Sequence, residues 1–180
     1  MLKLEVKKER VFDEASCRFI HSPSTTLYLQ HSLISVSKWE AIWHKSFMPP
    51  PVGPRIDKSE AELVSYIQCM SIKGPIDPTV ALVVISNYGE TIEEYISNPN
   101  TATVITYNVK QKPSRQTITS ELIYYWMIRF NIPHQYEKWH LNRLLTLIEV
   151  CNVKEQAEHN KMSNKDILKQ NAALNKARGR

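Results

Sequence analysis

Glycine is scarce in this chain: Gly53, Gly74, Gly89 and Gly179 are the only four in 180 residues. A phosphate cradle or dinucleotide fingerprint needs several glycines within one short loop, so that chemistry is excluded. Cysteine is scarcer, and Cys17, Cys69 and Cys151 are odd in number and far apart. Reduced thiols packed as small apolar groups are expected, not a disulfide framework. No Cys-x-x-Cys or His-Glu-x-x-His occurs, and neither His134 with His140 nor His21 with His31 shares a helical face at ligand spacing. Long apolar runs are missing too. The stretch Leu122 to Phe130 follows Glu121, contains Arg129, and falls short of the roughly 18–20 residues of a membrane span. The opening Met1-Leu2-Lys3-Leu4-Glu5 alternates apolar and charged residues and has no signal-peptide core, so an intracellular protein is expected.

What is present is ordinary for a globular domain, with 42% hydrophobic residues. A chain of this length buries roughly 70% of its extended surface in one core. The net charge of +5 is uneven. Residues 1–153 hold 16 Lys and Arg against 15 Asp and Glu, whereas residues 154–180 hold 7 against 3. A nearly neutral body argues against a nucleic-acid-binding face. The expected organisation is one α+β domain over 1–153, β-rich in 1–34 and helical in 35–153, followed by a basic, partly ordered C-terminal tail over 154–180. That tail has no aromatic residue for base stacking. It reads either as a docking arm for an acidic surface or as a solubilising terminus.

Leu2, Leu4 and Val6 alternate with Lys3, Glu5 and Lys7, and Thr25, Leu27 and Leu29 alternate again, predicting a small antiparallel sheet or meander with a turn at Asp13-Glu14-Ala15-Ser16. Ser37-Lys38-Trp39-Glu40 fits a capping box, and the helix it opens ends by Met48 before the proline run 49–54. A second helix begins near Asp57 or Ser59, carries Leu63, Tyr66, Ile67 and Met70 as one stripe, and stops near Gly74-Pro75. Val80 to Ile85 is too short to assign by periodicity. Glu90 to Ser97 reads as a short helix, Ala102 to Tyr107 has the β-branched content of a strand, and residues 110–115 form a basic loop. Thr119 caps a helix that is apolar all round from Leu122 to Ile128 and therefore buried. Asn131-Ile132-Pro133 closes it and starts a long helix from Gln135 to about Cys151, giving an antiparallel helical hairpin.

No catalytic, cofactor-binding or metal-ligating set emerges, and no enzyme is expected. Glu60/Glu62 and Glu93-Glu94 read as solvated surface. Two aromatic-charged clusters stand out as candidates for protein interaction: Lys38, Trp39 and Trp43, and Lys138, Trp139, His140, Asn142 and Arg143. Trp and Arg are enriched at binding hot spots. The same Trp residues could equally pack in the core, with Lys38 and Arg143 lying over them.

Several stretches resemble a widespread family of tailed-bacteriophage proteins. They are Ser35-Val36-Ser37-Lys38-Trp39-Glu40, Tyr66-Ile67-Gln68-Cys69-Met70 and Tyr95 through Thr103, with the best match at Glu121 through Ile128, Asn131-Ile132-Pro133 and Lys138 through Ile148. Met162 through Asp166 and Asn171 through Asn175 are also similar. The likeness runs from about residue 27 onward, and Asn100 and His134-Gln135 depart from it. The family resembles tail assembly chaperones, which coat the tape measure protein and help tail tube subunits add. The resemblance implies a tape measure protein or tail tube protein as partner, and host cell cytoplasm as the location. The alternative is a virion structural component of the tail or neck: a connector, terminator or tail-tip subunit. A homo-oligomer is left open; nucleic acid and membrane are not expected as partners.

Overall fold

Alternating residues turn one side of each N-terminal segment inward, and the segments pair. In the computed structural model, which describes residues 1–13, 17–50, 57–105 and 116–157, β1 (Leu2–Val6) is antiparallel to β4 (Thr25–Leu29). Likewise β2 (Glu9–Asp13) is antiparallel to β3 (Arg18–Ser22). Val6 faces Thr25 and Glu9 faces Ser22, so both ladders keep one register. The four strands are a single long hairpin, interrupted where Lys7-Lys8 stands opposite Pro23-Ser24. Pro23 has no N–H to donate to a ladder, which accounts for the break. Of the turn assigned at 13–16, residues 14–16 lie outside the described residues.

Helices follow, as the α+β reading expects: α1 (Leu33–Trp43), α2 (Glu60–Met70), α3 (Pro78–Ser97), α4 (Ser120–Arg129), a 3-10 turn (His134–Lys138) and α5, described over residues 141–157. Helix α1 corrects the first capping assignment. Its cap is Ser32, which exchanges hydrogen bonds with Ser35, and Ser37 lies inside the helix. The Ser-x-x-Glu pattern at 37–40 misleads because Glu40 is buried and turned to other partners. The helix stops at His44, whose φ of 52° is left-handed.

For α2 the Ser59 reading holds, with a reciprocal capping box between Ser59 and Glu62. Ser59→Ala is expected to lower stability by about 1 kcal/mol, read from the urea midpoint. Tyr66, Ile67 and Met70 are buried as the stripe predicts, whereas Leu63 is exposed. The unassigned run Val80–Ile85 and the short helix at 90–97 are one twenty-residue helix, α3, capped by Asp77 with Pro78 in its first turn. Residues 102–105 form no strand. The rest of that segment, the basic loop at 110–115 and Pro51 to Pro54 of the proline run lie outside the described residues.

Thr119 caps α4 as expected, yet the helix is not buried all round. Ile123 and Met127 point into the core, while Tyr125 is 56% and Ile128 76% exposed. No second helix starts at Gln135. The link to α5 is the 3-10 turn and an extended Trp139, because Pro133 and the packing of Tyr136 hold that segment in a tighter coil. Helix α5 runs past Val153, so the domain boundary placed there falls inside it. Residues 158–180 lie outside the described residues.

One core joins these elements. Leu4, Val6 and Leu29 of the hairpin meet Leu33, Val36 and Trp39 of α1, with Val83 and Val84 of α3, Ile123 of α4, and Leu141 and Leu144 of α5. The chain leaving β4 is clasped from two sides. Gln30 N–H donates to Met70 O at 2.8 Å, and Leu141 N–H donates to His31 O at 3.0 Å. Among the described residues, no helix is long and apolar enough to cross a membrane.

Candidate protein-interaction face

The 3-10 turn owes its position to Glu137. Its carboxylate accepts from the Tyr124 hydroxyl at 2.9 Å and lies 3.0 Å from His134 Nε2. Burial first, and the Glu137 carboxylate second, push the Tyr124 hydroxyl up to about 12. The turn so anchored presents Tyr136 and Trp139. Their rings stack at 4.0 Å and 15°, and the Arg143 guanidinium covers the indole at 4.1 Å from its centroid. Tyr136 and Trp139 are partly buried, whereas Lys138 and Arg143 are exposed. Arg143 meets no carboxylate within ion-pair distance among the described residues. A planar cation over a stack of two rings offers dispersion contact and a free fork of N–H donors.

The other members of this cluster face inward. His140 is 6% exposed and its Nε2 lies 3.0 Å from Tyr95 O. Asn142 donates to Ile96 O at 2.8 Å and to Asn98 O at 2.9 Å. Together they close the C-terminal end of α3, whose last carbonyls have no partners within the helix. His140 and Asn142 are therefore structural, and their side chains are engaged within the fold.

The first cluster divides in the same way. Trp39 is 1% exposed, and its indole N–H donates to Glu62 O at 2.8 Å. Trp43 stacks on it at 6.3 Å and is partly buried, with an indole N–H that meets no acceptor. Lys38 is exposed beside a shallow groove of about 440 Å³ between α1 and α2, lined by Ala41, Ile42, Ser65, Gln68 and Cys69 among others. Burial pushes the Cys69 thiol up, against the pull of Lys38, which keeps it protonated. Among the described residues, no group of three or more His, Cys, Asp or Glu could hold a metal ion.

Set against protein-family models, curated proteins and solved structures, the chain matches none of them.

Of the eight candidates, Lys38, Lys138 and Arg143 reach the surface, Trp43 and Trp139 reach it in part, and Trp39, His140 and Asn142 serve the fold. Tyr136, which completes the ring stack, is a member that sequence reasoning missed. Its spacing of three residues before Trp139 was the available signal, hidden by the expectation of an α-helix from Gln135. His31 was missed as well. It is 2% exposed, hydrogen-bonded through Nδ1 to the Tyr66 hydroxyl, with its ring centroid 5.0 Å from that of His140.

Proposed function

We propose that this protein works by gripping another polypeptide, as a tail assembly chaperone of a tailed bacteriophage that binds the tape measure protein or tail tube subunits. The observation that carries the binding reading is the Tyr136–Trp139–Arg143 stack, which leaves an unpaired guanidinium at the surface over a partly exposed indole, next to Lys138. Such aromatic and Arg groups are the residue types that dominate binding energy when a partner covers them. The exposed Tyr125 and Ile128 of α4 add apolar surface of the kind a helical partner covers. The phage assignment rests on the sequence resemblance alone.

Co-expression with the tape measure protein tests it: the partner should stay soluble with the intact chain and precipitate without it. Trp139→Ala combined with Arg143→Ala should weaken co-purification about tenfold or more while the protein remains folded. Equal solubility of the tape measure protein with and without this chain defeats the proposal. Mass spectrometry of purified particles addresses the structural alternative, because a chaperone is largely absent from finished virions.

A further inference from the structure

The hairpin carries a second surface, made legible by its unbroken register. Even-numbered residues of the first two strands share a face with odd-numbered residues of the last two, since Leu4 pairs with Leu27 and Phe12 with Phe19. Over β1 and β4 that face is the core side: Leu4 is 6%, Val6 1% and Leu29 0% exposed. Both ladders keep the same register, with no extra residue between them, so the same face continues past the break. There it emerges at the surface, while the two strands stay beside α3. Lys8 and Arg10 are exposed, Phe12 is 49% and Phe19 53% exposed, and the two rings meet edge-on at 5.1 Å. Arg10 lies 3.9 Å from the Phe19 centroid. A core-facing surface thus runs on into solvent as an aromatic pair beside cations.

Among the described residues, this face carries Lys8 and Arg10 and no carboxylate, whereas Glu5 lies on the opposite face of β1. Arg10 meets no carboxylate within ion-pair distance among the described residues. A second copy docking by this face would bring Lys8 and Arg10 of both copies into one contact with no described carboxylate to pair them, because a two-fold contact uses the same patch on both sides. Nucleic acid is poorly served as well, since two cations make a small electrostatic footprint.

We infer that the outer half of the hairpin, centred on Phe12, Phe19 and Arg10, is a docking site for an acidic amphipathic segment of a partner protein. The apolar residues of that segment would cover the two rings, and its carboxylates would pair with Lys8 and Arg10. This site is independent of the Trp139 stack and of the phage assignment.

The test uses the full chain and fluorescence anisotropy with a labelled synthetic amphipathic peptide of glutamate, leucine and phenylalanine. Its lysine-for-glutamate counterpart and an oligothymidylate serve as the other probes. The glutamate peptide should bind at least tenfold tighter than either. Phe12→Ser with Phe19→Ser should weaken it about tenfold, and Arg10→Glu about fivefold or more. Trp139→Ala should leave it unchanged, which separates this site from the proposed chaperone face. The rings are half exposed, so the thermal melt of the double variant should stay near that of the parent. If that variant does not fold, Arg10→Glu, which removes no packed ring, decides. Equal binding of the lysine peptide or the oligothymidylate overturns the inference, as does unchanged binding by Arg10→Glu. Self-association that disappears in the phenylalanine variant overturns it too, since it would make a second copy the occupant.

Discussion

Replacing Glu40 with alanine should lower the stability of this protein by about 3–5 kcal/mol, measured from urea denaturation at neutral pH. Glu40 is 7% exposed, and both its carboxylate oxygens are engaged. One accepts from Phe47 N–H at 2.8 Å and the other from Ser120 N–H at 2.7 Å. The first bond closes the turn after α1, and the second fixes the N-terminus of α4. The positive end of the α4 dipole adds to the attraction. Alanine would strand two N–H groups in the interior and uncouple two helices. Glu40→Gln should cost less, because its amide keeps one acceptor but turns an NH₂ toward the other N–H. A loss under about 1 kcal/mol for Glu40→Ala would show that solvent reaches this site and that the bonds are not structural.

The second large effect is a loss of stability in mild acid. Burial, and then the neighbouring His140, lower the His31 pKa from 6.5 to about 3. Burial also lowers that of His140. The sign follows from which state takes up the proton first. As pH falls below about 6.5 the unfolded chain is protonated while folded His31 stays neutral, so stability falls. The contribution is complete above that range and is lost progressively toward pH 3. For His31 alone the loss reaches about 2 kcal/mol by pH 5. His31 meets the Tyr66 hydroxyl, the His140 ring and the Phe47 ring. Among the described residues, no carboxylate lies within ion-pair distance of His31 or His140 to offset the charge. His31→Phe should therefore flatten the fall between pH 7 and 5 by that amount, whatever pH-independent cost it adds by unpairing Tyr66. Parallel slopes for the two proteins would remove His31 as the origin.

Local rules made part of this molecule readable in advance. The Leu2–Val6 and Thr25–Leu29 alternation, the Ser59 and Thr119 caps and the Leu63-Tyr66-Ile67-Met70 stripe depend on neighbours within one or two turns, and each formed as expected except at Leu63, which is exposed. Elements decided from afar did not show. Glu40 has the spacing of a capping residue for Ser37, but the turn after α1 and the start of α4 claim its carboxylate. Tyr125 and Ile128 look like core residues by type, yet no other described element covers them. Val80–Ile85 is too short to assign, and only its continuity with the next turns of α3 settles it.

The interaction candidates divide for the same reason. Trp39 and Trp139 are both indoles beside a lysine, and composition does not separate them. A carbonyl at Glu62 draws the first inward, while Pro133 and the Glu137 clamp leave the second partly exposed. His140 and Asn142 have the chemistry of contact residues, but the open carbonyls at the end of α3 already occupy them.

The clasp on the segment after β4 bears on how the chain is made. Leu141 N–H bonds to His31 O, and Leu141 and Leu144 fill the space beside Leu33. A ribosome releasing this protein from its first residue therefore holds a half-built interior until the last described helix emerges. Until then the apolar lining around Leu29 and Leu33 stands open. Any cut between α4 and α5 would yield two sticky fragments and no working half.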